Sequence, residues 1–111
     1  MDRADNRRRH ARGSTALAAR IFPSGYSCQI LDISPRGMRL RLETPMPMAD
    51  SFIVVEWASG DAHDAQAVWT REGEVGVQVL RTCDLRDRAP LPFAEAKAAW
   101  LAERAANPEA A

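Results

Sequence analysis

The feature that most constrains this chain is a two-residue alternation that recurs in short runs separated by turn residues. It is clearest where Met38, Leu40 and Leu42 alternate with Arg39, Arg41 and Glu43. Successive side chains of a strand point to opposite faces, so such a run is a half-buried antiparallel strand. The same period appears from Ser14 to Phe22, where Leu17, Ala19 and Ile21 alternate ahead of a turn at Ser24-Gly25. From Tyr26 to Ile33, strict alternation puts Cys28 and Ile30 on the face of Asp32, and Leu31 and Ile33 on the other. Thr44 to Asp50, with Pro45 and Pro47, is a loop. Ser51 to Trp57 is strongly β-forming, and Ser59-Gly60-Asp61 closes a hairpin. Gln66 to Arg71 and Glu74 to Leu80 form a second hairpin about Glu72-Gly73, with Val75, Val77 and Val79 opposite Gly76 and Gln78. Six short strands joined by local turns predict an all-β antiparallel barrel or sandwich.

Both ends depart from that period. Residues 1–12 have no apolar periodicity and read as a basic N-terminal arm, mobile when nothing is bound. Residues 13–82 hold the strands. Residues 83–111 hold a linker and a C-terminal helix, in which Phe93, Ala96, Trp100 and Leu101 recur at helical spacing after Pro90 and Pro92. That helix ends near Asn107-Pro108. An isolated helix of this length is marginal in water, so its stripe must cover the barrel or a partner.

A chain of 111 residues, 46% hydrophobic and 27% charged, is an ordinary soluble single domain. Its net charge of zero conceals a division. Residues 1–41 carry nine Arg and three Asp, or +6, and the remainder balances this with −6. A basic first third suits an anionic partner, while the neutral total argues against indiscriminate nucleic-acid binding. No apolar signal region and no membrane-length run are present, so the expected location is the cytoplasm, with Cys28 and Cys83 as free thiols.

Catalytic patterns are missing. His10 and His63 are not at metal-ligand spacing from each other or from a cysteine. Asp61, His63 and Asp64 read as a polar hairpin tip, and Trp57, Trp69 and Trp100 as core or helix-packing residues. No nucleophile elbow or phosphate-binding glycine loop occurs. The expectation is a domain that is not an enzyme and carries no cofactor or metal.

Two motifs remain. Asp32-Ile33-Ser34-Pro35-Arg36-Gly37 is a turn: Ser34 suits the first position of type I, Pro35 presets φ at the second, and Gly37 suits the fourth. Pro35 keeps Ser34 extended, so Asp32 and Ser34 project to one side, beside a glycine that permits close backbone approach. Upstream lies Arg7-Arg8-Arg9-His10-Ala11-Arg12, a cationic cluster without an acid. Taken alone, the first motif braces a turn and the second is a solvated basic tail.

Together they resemble the PilZ domain, the bacterial receptor module for cyclic di-GMP. Its pattern is R-x-x-x-R in an N-terminal arm followed by D/N-x-S-x-x-G in the barrel. Arg8-Arg9-His10-Ala11-Arg12 matches the first and Asp32 to Gly37 the second. The resemblance covers roughly residues 7–80. It implies a six-stranded antiparallel PilZ-like β-barrel that binds cyclic di-GMP through Arg7, Arg8, Arg9, Arg12, Asp32, Ser34 and Gly37, and that acts on a downstream protein. Guanidinium groups suit phosphate oxygens and the O6 and N7 acceptors of guanine. Asp32 and Ser34 offer acceptors to the opposite guanine edge. PilZ domains occur with one and with two bound nucleotides, and Arg7, immediately before R-x-x-x-R, favours two. The alternatives are a PilZ-like adaptor that binds only proteins, and a small barrel for single-stranded nucleic acid.

Overall fold

The computed structural model describes residues 16–43 and 49–106. Strands β1 (Leu17–Phe22), β2 (Tyr26–Ile33), β3 (Gly37–Leu42), β4 (Ser51–Glu56), β5 (Asp61–Arg71) and β6 (Glu74–Asp84) precede a 3-10 turn, Leu91–Phe93, and helix α1, Ala94–Ala106. The strands close into a barrel in the order β1-β2-β3-β6-β5-β4, with every pairing antiparallel. Closure leaves no open sheet edge around the core, as the all-β expectation requires.

The alternation read from the sequence fills the interior. Ala19 and Ile21 of β1, Cys28 and Ile30 of β2, Met38 and Leu40 of β3, Phe52 and Val54 of β4, and Val75 and Val77 of β6 make one buried cluster. Burial, and then the Glu43 carboxylate, push the Cys28 thiol up to about 12, so this side chain serves as a small apolar filler.

β4 lacks alternation because both its faces are covered. Phe52 and Val54 point into the barrel, whereas Ile53 and Val55 join a second cluster outside it with Phe22, Ala62, Leu85, Phe93, Ala96 and Trp100. The helix stripe therefore covers its own barrel. Trp100 is the anchor: its indole N–H donates to the carbonyl of Trp57 at 2.8 Å, and its ring lies on Gly60. Gly60 has φ +83, and a Cβ there would stand 2.6 Å from the ring, so backbone and packing both call for glycine. Leu101, expected in the stripe, is 45% exposed and lies outside it. Beside Trp57, Glu103 accepts from the indole at 2.7 Å and pairs with Arg20 at 3.0 Å, locking the helix to β1.

Two boundaries move. β5 begins at Asp61, five residues before the expected Gln66, and β6 runs to Asp84 instead of Leu80, past the expected barrel end at residue 82. The turn is made by residues 57–60, so Asp61, His63 and Asp64 are not a hairpin tip. Asp61 and His63 are buried. His63 is accommodated because Nε2 lies 2.7 Å from Glu56 Oε2 and Nδ1 lies 2.8 Å from Thr82 Oγ1. A polar stretch can thus form an inward strand when its groups are satisfied at the barrel end.

Trp100→Ala should destabilise the fold by about 3–5 kcal/mol, the usual cost of emptying a buried aromatic site. Trp100→Phe keeps most of the bulk and loses the bond to Trp57, and should cost about 1–2 kcal/mol. Urea denaturation followed by fluorescence of the remaining tryptophans measures both.

Candidate functional site

The Asp32 motif lies where β2 hands over to β3. The register runs Ile30↔Leu40, then Asp32↔Arg39 and Ile33↔Met38, so Leu31 is an extra residue and β2 carries a bulge. This corrects the strict alternation expected for β2. Without the bulge Asp32 would share the inward face of Cys28 and Ile30. With it, Asp32 stands opposite Arg39 on the outside, and Ile33 returns to pack on the core. A bulge re-aims a side chain in this way at a local cost in pairing.

The turn beyond is closed by backbone bonds in both directions: Ser34 N–H donates to Gly37 O at 2.8 Å, and Gly37 N–H to Ser34 O at 3.4 Å. Neither Pro35 nor Arg36 has a positive φ, in keeping with the type I reading. The Ser34 hydroxyl donates to Gly37 O and accepts from Gly37 N–H, both at 3.2 Å, so it braces the turn. Gly37 is a glycine for packing reasons: a Cβ would collide with the Val77 carbonyl oxygen on β6.

Asp32, Ser34 and Gly37 line one cavity of about 460 Å³ on the outer face of the barrel. Its floor is a single cross-strand row. Asp32 of β2 is registered with Arg39 of β3, Arg39 with Gly76 of β6, and Gly76 with Trp69 of β5. Arg39 Nε and Nη2 approach Asp32 Oδ2 at 2.8 and 2.6 Å, and Nη1 lies 3.3 Å from Glu74, which also pairs with Arg41 at 3.3 Å. Trp69 lays its indole over Gly76, where no side chain obstructs it. It is 39% exposed and lines the cavity, which corrects its expected place in the core or against the helix.

The cavity therefore offers a carboxylate, a guanidinium and a flat aromatic surface in sequence along one line. Arg36 adds a second guanidinium at the rim. Such a set suits a ligand with a planar polar ring and negative charge. Arg39, Trp69 and Gly76 lie outside both sequence motifs. Counting outward from Glu72-Gly73 pairs Arg71 with Glu74 and hence Trp69 with Gly76, which was the available signal. The arm residues Arg7, Arg8, Arg9 and Arg12 lie outside the described residues.

Among the described residues, no group of three or more His, Cys, Asp or Glu is arranged to hold a metal ion. No helix among them is long and apolar enough to cross a membrane.

Comparison with known proteins gives one family and no individual relative. No curated protein and no solved structure matches the chain. The sequence profile of the PilZ domain matches residues 6–91, which takes in the arginine cluster, all six strands and the turn that carries Asp32. The chain belongs to the PilZ domain family, a family of binding domains known for recognising cyclic di-GMP.

Proposed function

We propose that this protein is a non-catalytic cytoplasmic receptor for cyclic di-GMP that passes the bound state to a downstream protein. The observation that carries the reading is the union of family and geometry. In a PilZ domain, the Asp32 motif lines an outward cavity with Arg36, Arg39 and an open indole face. A cyclic dinucleotide supplies the complement: guanine N–H donors for Asp32, planar bases for Trp69, and phosphates for guanidinium groups. No cofactor is needed, because binding alone changes the molecule.

The proposed event is bridging. Arg8 and Arg12 of the arm, assisted by Arg7 and Arg9, clamp the nucleotide from one side while Asp32 and the Ser34–Gly37 turn hold it from the other. The nucleotide then joins the arm to the barrel, and the surface offered to a partner differs between the two states. Ser34 acts within this reading through the turn it braces, and Gly37 through the close approach of β3 to β6.

Titration calorimetry with cyclic di-GMP, with GMP and a short oligonucleotide as competitors, tests the reading directly. Arg8→Ala and Arg12→Ala should each weaken binding by about 1.5–3 kcal/mol, the range for charged hydrogen bonds, with melting temperature unchanged. Wild-type affinity in both variants would remove the arm from the site.

Asp32→Ala should also weaken binding while the barrel stays folded. The Asp32 side chain is 46% exposed and paired with a half-exposed arginine, and such pairs contribute roughly 1 kcal/mol or less. Thermal melting and titration on one preparation separate the outcomes. A large fall in melting temperature with unchanged affinity would make Asp32 a structural residue only.

A further inference from the structure

Arg39 belongs to none of the motif positions, yet it is the residue nearest to Asp32 in the cavity. The two are registered on neighbouring strands, about 4.8 Å apart; Arg39 projects outward by the alternation of β3, and Asp32 because of the bulge at Leu31. Arg39 directs Nε and Nη2 to one oxygen, Asp32 Oδ2. The Asp32 side chain is 46% exposed, so its carboxylate keeps acceptor capacity for a ligand. Nη1 is steadied by Glu74 at 3.3 Å. The guanidinium is thus held at both ends by carboxylates on β2 and β6, while the side chain remains 43% exposed to the cavity.

A fixed acceptor beside a fixed cation matches one nucleobase edge. Guanine presents N7 and O6 acceptors and, continuing round the ring, N1–H and N2–H donors. Asp32 can take the donors with Oδ1, and Arg39 can give its remaining N–H groups to O6 and N7. Adenine keeps N7 but inverts the next two groups, setting an amino donor in place of O6 before Arg39 and a ring-nitrogen acceptor in place of N1–H before Asp32. The contacts at position 6 and at N1 would then be repulsive while N7 is common to both bases, and discrimination by mismatched polar groups is large. The next position in the row, Gly76, has no side chain to obstruct a base lying toward Trp69.

We propose that Arg39 is a guanine-reading residue, which together with Asp32 selects guanine over adenine in the cavity. This rests on the cyclic di-GMP reading above. Arg39 takes one guanine, which leaves the arm arginines for the phosphates and the second base.

The competing role is positioning, in which Arg39 only holds Asp32 still and never touches the base. A cycle crossing protein and ligand changes separates the two. The full chain and Arg39→Met are titrated with cyclic di-GMP and with its 7-deazaguanine analogue, in which N7 is replaced by C–H. Any contact from the arm to the other guanine is common to both proteins and cancels. Direct reading predicts that the wild type binds the analogue about tenfold more weakly, the effect of one lost charge-assisted hydrogen bond. It further predicts that this penalty shrinks at least about fivefold in Arg39→Met.

An analogue carrying hypoxanthine, which lacks the 2-amino group facing Asp32, should weaken both proteins alike. Arg39→Lys retains the charge beside Asp32 without the planar fork, so it guards against a folding defect in the methionine variant, and it should share the reduced penalty. A 7-deaza penalty that is unchanged in both variants overturns the proposal and leaves the receptor reading standing. No binding of cyclic di-GMP by the wild type overturns both.

Discussion

Everything in this fold follows from how little room a closed six-stranded barrel has inside. The interior takes one side chain from every second residue, and the strands supply small groups, Ala19, Cys28 and Ala65, among larger ones such as Ile21, Leu40 and Phe52. With the inside filled, whatever the barrel recognises must be recognised on the outside or at an end. Packing density near that of organic crystals permits no other arrangement. The outer surface is then divided. The sector of β1 and β4, with the start of β5, is apolar and covered by α1, while β2, β3, β6 and the far half of β5 carry the cavity.

The bulge at Leu31 joins the two halves of this description. It occurs in the strand whose inward residues Cys28 and Ile30 are wholly buried, and it ends their alternation one step before Asp32. A carboxylate facing that core would be desolvated without a partner and would carry a penalty of several kcal/mol, on the order given for buried unpaired charge. Outside, Asp32 meets Arg39 and solvent at once. One inserted residue therefore relieves the core of a charge and supplies the cavity with its acceptor. Ile33, shifted by the same step, returns an apolar side chain to the core.

Much of this is legible in the amino-acid sequence. Alternation about Met38, Leu40 and Leu42, the apolar β4 and the glycine turns predict six strands, and the change of period predicts the helix. The bulge was not legible, because an inserted Leu in an apolar strand leaves the composition of the run unchanged. The first residues of β5 were not legible either. Asp61, His63 and Asp64 look like a turn until Glu56 and Thr82, both remote in sequence, supply partners for the imidazole. At the site, Asp32, Ser34 and Gly37 stand out by motif. Arg39 is hidden, because an arginine on the polar face of a strand looks like any solvated charge. What distinguishes it is a neighbour on each side, which only the pairing of β3 with both β2 and β6 reveals.

The separation of helix and cavity bears on how a bound nucleotide could be sensed. Trp100 is 1% exposed, bonded to the Trp57 carbonyl and capped by Arg104 at 4.4 Å, so lifting α1 would expose an entire aromatic cluster. At roughly 25 cal/mol per Å² of apolar surface that is a cost of several kcal/mol, comparable with the whole affinity difference a ligand commonly imposes between two states. The cavity rim is different. Asp32, Arg39 and Arg36 are linked by half-exposed ion pairs and one turn, and their rearrangement costs little more than the pairs themselves. Under the receptor reading, a nucleotide in the cavity therefore acts on the rim and the arm, and leaves α1 seated. A partner that distinguishes the two states must then touch the rim, the arm or the nucleotide itself, because the helical side of the barrel presents the same surface in both.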